Sequence, residues 1–141
     1  MATLSRSVDI HKDVWLEIAD TRLDEFILLR TAGRYAGAYY LGGYVVEALL
    51  KRAICVALDL DELPMTYHSH DLEALLMHSG LWKRMQADPD VFLAFNQISS
   101  AWRETMRYER PVNVTQNHSD DLASWLMDSV WGVVPWLKAR I

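Results

Sequence analysis

The run AYYLGGYVVEALLKRA, from Ala38 to Ala53, constrains this chain more than any other stretch. Read as a helix, it is apolar on both sides. Tyr40, Gly43, Leu50 and Ile54 share one face, and Leu41, Val45, Leu49 and Val56 share the opposite one. A helix that is apolar all round has to be buried. The segment from about Arg34 to Leu58 is therefore expected to be the central element, with other helices packed around it. Gly37, Gly42 and Gly43 lower its helix propensity, which fits neighbouring backbones approaching closely there. Glu47 lies on the face of Tyr40 and Leu50, with Lys51 one turn on in the favourable Glu-then-Lys order. A carboxylate on such a helix must be paired or hydrogen-bonded.

Helical periodicity continues on either side of this segment. From about Asp9 to Thr31, Val14, Trp15, Ile18, Leu23, Phe26, Ile27 and Leu29 recur opposite a charged face, which predicts an amphipathic first helix. Gly33 allows a break after it. Asp59 to Asp71 reads as a polar loop closed by Pro64, and a short helix from Asp71 to His78 ends at Gly80. Asp88 and Pro89 then mark the start of a helix to about Tyr108, with Val91, Phe95, Ile98, Trp102 and Met106 on one stripe. Pro111 breaks the linker from Glu109 to His118. Ser119 is expected to cap a last helix reaching Leu137, with Asp120 and Asp121 in its first turn and a kink at Pro135. The expected fold is all-α: one domain over residues 1–141, an up-and-down bundle of four long helices plus a short one.

The chain has 141 residues, enough for one real core, and six tryptophans and six tyrosines to help fill it. Its formal net charge of −5 argues against a broad electrostatic grip on nucleic acid, while leaving room for a local basic patch. A single cysteine, Cys55, lies in the most apolar segment and is read as core packing. One cysteine makes no intrachain disulfide, so a reducing cytoplasm is the expected compartment. The start, MATLSRSVDIHKDVW, has no apolar stretch of a secretory signal. Uncharged runs such as Ala36 to Val46 fall far short of the roughly 20 residues of a membrane span.

Chemistry-bearing residues cluster in two places. The first is WRETMRYERPVN, where Arg103 and Arg107 are four apart on one expected helix side, with Tyr108 and Arg110 at its end. Glu104, Glu109 or a bound phosphate would balance these charges. A solvated face at a helix C-terminus would need no ligand. The second is Tyr67-His68-Ser69-His70-Asp71, whose spacing lacks the paired ligand clusters of a zinc site; capping and hydrogen bonding around the short helix suit it better. No metal or cofactor is expected. The chain has no G-x-G-x-x-G, P-loop or G-x-S-x-G motif, and Ser99-Ser100 has no partner by spacing.

AYYLGGYVVEALLKRA, with HSHDLEALL and then WRETMRY after it, resembles the HEPN domain, the higher eukaryote and prokaryote nucleotide-binding domain. The likeness runs from about Trp15 to Leu137, and the second-helix pattern is its most specific part. It implies a helical bundle that is often a homodimer and often encoded beside a minimal nucleotidyltransferase in a toxin–antitoxin pair. Many members are metal-independent ribonucleases whose motif is an Arg and a His with four to six residues between them. This chain departs from the motif, since seven residues separate its nearest match, Arg110 and His118. The resemblance thus implies a binding or regulatory module for a nucleotide, RNA or a partner protein, using Glu47, Lys51, Arg103, Arg107 and Tyr108. The alternative is a ribonuclease using Arg110 and His118. In either case Glu47 is expected to be held by Lys51 or by a basic group such as Arg103 or Arg107.

Overall fold

The computed structural model describes residues 2–4 and 10–141, so the expected helix start at Asp9 lies outside the described residues. The described residues form seven α-helices, in order α1 (Lys12–Thr31), α2 (Tyr35–Ala57), α3 (Leu72–His78), α4 (Trp82–Gln86), α5 (Pro89–Ala101), α6 (Gln116–Met127) and α7 (Val133–Lys138). Single 3₁₀ turns lie at Met65–Tyr67, Glu104–Tyr108 and Pro111–Asn113. The described residues form no strand, only an isolated bridge between His11 and Glu62. None of their helices is long and apolar enough to cross a membrane.

As the periodicity requires, α2 is the hub. Val45, Val46, Leu49, Leu50, Ile54 and Cys55 are fully buried on it, and α1, α3, α6 and α7 all pack against it. Burial raises the Cys55 thiol pKa, as expected of a cysteine used for packing. Gly33, with φ of 77°, makes the turn between α1 and α2 in a conformation that side-chain-bearing residues rarely adopt.

The four longer helices are α1, α2, α5 and α6, but α5 and α6 both end sooner than their apolar stripes suggest. At the end of α5, Trp102 takes an extended backbone (φ −92°, ψ 138°). This swings its indole across α2, where Nε1–H donates to the Tyr40 carbonyl at 3.0 Å. The ring lies where a Cβ on Gly43 would be, 2.1 Å from the nearest indole atom. Side chains rather than backbones therefore fill the space left by the α2 glycines. Arg103 and Arg107 consequently do not share an α-helical face.

The last expected helix is two helices. The Asp128 carboxylate accepts from the backbone N–H of Val130 (2.8 Å) and Trp131 (3.0 Å), a local turn that competes with the helix. Pro135 makes no kink. It is the third residue of α7, inside the first turn, where a missing N–H leaves no helical bond unmade. The α6 cap also differs. Thr115 caps the helix with His118 as its reciprocal partner, and Ser119 is buried inside the helix, accepting from Arg30 Nε at 3.2 Å. With the Arg30–Asp120 ion pair, this ties the end of α1 to the start of α6. Asp71 caps α3 as expected. Asp88 occupies the N-cap of α5 without a side-chain cap bond, leaving Pro89 as the start signal.

Candidate functional site

Residues three and four apart on a helix share a face, so Tyr40, Tyr44, Glu47 and Lys51 line up along one side of α2. That side forms the floor of an open cleft of about 600 Å³, to which α1 contributes Trp15, Ile18, Arg22 and Glu25, and the loop before α3 contributes His70. Two bonds fix that loop. Ser69 Oγ accepts from the Asp71 N–H at 3.1 Å, and Asp71 accepts from the Ala74 N–H at 3.1 Å. His70 is thereby held over α2.

Glu47 and Lys51 are only 4% exposed. Lys51 Nζ donates to Glu47 Oε2 at 3.1 Å, and His70 Nδ1 meets Glu47 Oε1 at 2.7 Å. A carboxylate accepts, so the proton of this second bond belongs to His70 Nδ1, and Nε2 is the nitrogen left for a ligand, a donor when the ring is the imidazolium. The Lys51 ammonium also lies 4.9 Å from the centroid of the Trp15 ring. A buried ion pair is weak evidence for stability, because desolvating two charges offsets most of their attraction. Here a third polar group joins the pair and is itself half exposed to the cleft.

Aromatic rings form the rest of the wall. Tyr44 is edge-on to Tyr40, His70 and Trp102, with centroids 5.2, 6.0 and 4.9 Å away. Burial first, then the Tyr40 hydroxyl and Glu47, raise the Tyr44 pKa and keep its hydroxyl a donor. Trp15 is 7% exposed, and its Nε1–H has no partner among the described residues. The cleft therefore offers donors from Tyr40, Tyr44 and Lys51 between flat apolar rings. Such a lining favours a ligand that is flat and rich in acceptors.

The other residues singled out from the sequence are more dispersed. Arg103 does not reach Glu47: its guanidinium donates to the carbonyls of Ser99 and Trp102, both at 2.8 Å, and closes the end of α5. Arg107 does not pair with Glu47 either. It lies over the Tyr108 ring, 4.7 Å from its centroid, and the hydroxyls of Tyr108 and Tyr40 raise its pKa further. Tyr108 is exposed. His118 Nδ1 accepts from the Thr115 backbone N–H at 3.0 Å, which places the neutral ring's proton on Nε2. His118 lines a shallow cavity with Tyr39, Glu109 and Asn113, and Arg110 does not line it.

Glu47 and Lys51 were legible in the sequence as a pair. Trp15, Tyr40 and Tyr44 carry no site signal of their own there, and His70 stands out only within the Tyr67–Asp71 cluster, read as capping and hydrogen bonding, and in the HSHD piece of the family resemblance. No group of three or more His, Cys, Asp or Glu side chains among the described residues is arranged to hold a metal ion. In comparisons with family models, curated proteins and solved structures, nothing matches this chain.

Proposed function

We propose that this chain is a helical binding module whose ligand is a nucleotide, free or at an RNA end. The base lies among Trp15, Tyr40 and Tyr44, and the phosphate lies toward His70 and Lys51. The observation that carries the reading is the buried Lys51–Glu47–His70 network, which forms the floor of a cleft walled by aromatic donors. Bases stack on aromatic side chains, and phosphate oxygens take hydrogen bonds from cationic groups. The three pieces of the HEPN resemblance also meet here. Glu47 and Lys51 come from the first, His70 from the second, and Trp102 and Arg107 from the third.

Calorimetric titration with the four ribonucleoside 5′-monophosphates tests this reading. Wild-type protein is expected to bind at least one of them. His70→Ala should weaken it by roughly 10–100-fold, the loss of one hydrogen bond to a charged group. No binding, or binding that His70→Ala leaves unchanged, would sink the proposal. RNA incubated in EDTA with the same protein provides a second readout. Cleavage lost in both Arg110→Ala and His118→Ala would replace the binding module with the ribonuclease.

A further inference from the structure

His70 is shared by two clefts. On its other side lies a second cleft of about 530 Å³, between the start of α3 and the end of α5. Three carboxylates line it, Asp71, Glu73 and Glu104, with Arg103 as the one Lys or Arg. The Arg103 Nη1 is already engaged by the carbonyls of Ser99 and Trp102 at the C-terminal end of α5, where a helix dipole is negative. The donor-rich cleft over α2 thus continues, past His70, into an acidic one.

We infer that this arrangement selects a nucleotide whose 5′-phosphate is terminal, free or at the 5′ end of a chain, over one whose phosphate continues into a polynucleotide, with Glu73 and Glu104 as the specificity-determining residues. The inference rests on the nucleotide reading above. With the base against Tyr40 and Tyr44 and the phosphate at His70, a chain continuing from that phosphate enters the acidic cleft. Its next phosphate meets three carboxylates against one arginine, a net repulsion. Like charges brought together across an interface suppress the wrong partner. A mononucleotide ends at His70 and avoids the repulsion. The charge of the whole chain, −5, acts in the same direction on a polyanion.

Titration of the four 5′-monophosphates and the matching dinucleotides, at one low salt concentration, tests the inference. In each dinucleotide the first residue is an abasic 5′-phosphorylated sugar, so that the only base carries a phosphate with a further phosphate beyond it. Wild-type protein should bind the dinucleotides about tenfold more weakly than the best monophosphate. In the Glu73→Lys/Glu104→Lys variant, two charge reversals outside the packed core, that ratio should vanish or invert while monophosphate affinity holds within about threefold. Dinucleotides that bind wild type as well as monophosphates do, or a ratio that survives the reversals, would overturn the selection and leave the nucleotide reading standing. If neither ligand binds, the nucleotide reading falls and the selection with it.

Discussion

Glu47→Ala is expected to destabilise the protein by about 3–5 kcal/mol, because it leaves the Lys51 ammonium buried with no counter-charge. In a chain of this length that loss lowers the thermal midpoint by roughly 10–20 °C. Burial sets the size of the effect. Lys51 is 4% exposed and cannot turn to water without disturbing Trp15, over whose ring it lies. Lys51→Ala should cost a similar amount, since His70 alone would then hold the Glu47 carboxylate. Thermal unfolding monitored by circular dichroism checks both. A midpoint within about 3 °C of wild type for Glu47→Ala would mean that the site is wetter and looser than the buried geometry implies.

Gly43→Ala is expected to cost about 3 kcal/mol or more. A methyl group there meets the Trp102 indole at 2.1 Å, and the ring cannot move aside without breaking its bond to the Tyr40 carbonyl. Tyr44 packs on the same indole, so the cleft wall should loosen along with the core. Gly37, six residues earlier on the same helix, is the control. Its added Cβ would meet only Leu29, at an ordinary 3.5 Å. Gly37→Ala should therefore stabilise by up to about 1 kcal/mol through helix propensity alone. Urea unfolding of the two variants gives both numbers. Equal effects would contradict the packing described for Trp102.

The difference between those glycines marks how far the sequence could be read. Apolar residues on every side of α2 announced its burial, and the i,i+4 spacing announced the Glu47–Lys51 pair, because both signals are local. The ends of α5 and α6 were hidden because their apolar stripes continue in helical phase. Trp102 and Met106 come after Ile98 at the right spacing, but the indole is drawn off the helix by a contact 62 residues away. The α6 cap was hidden because its reciprocal partner is His118, where the usual capping box has Glu or Gln. His70 was harder still. It lies 23 residues from Glu47, in a loop whose conformation depends on the start of α3, and no periodicity links the two.

The central claim is that the polar network serves a ligand rather than the fold, and the double variant Glu47→Leu/Lys51→Met separates the two roles. Replacing a buried ion pair with apolar side chains of similar size is often neutral or stabilising. The variant should therefore unfold at or above the wild-type temperature. Titrated with the ribonucleoside 5′-monophosphates, it should show no binding at concentrations that saturate the wild type. A well-folded double variant that binds nucleotide with wild-type affinity would contradict the claim.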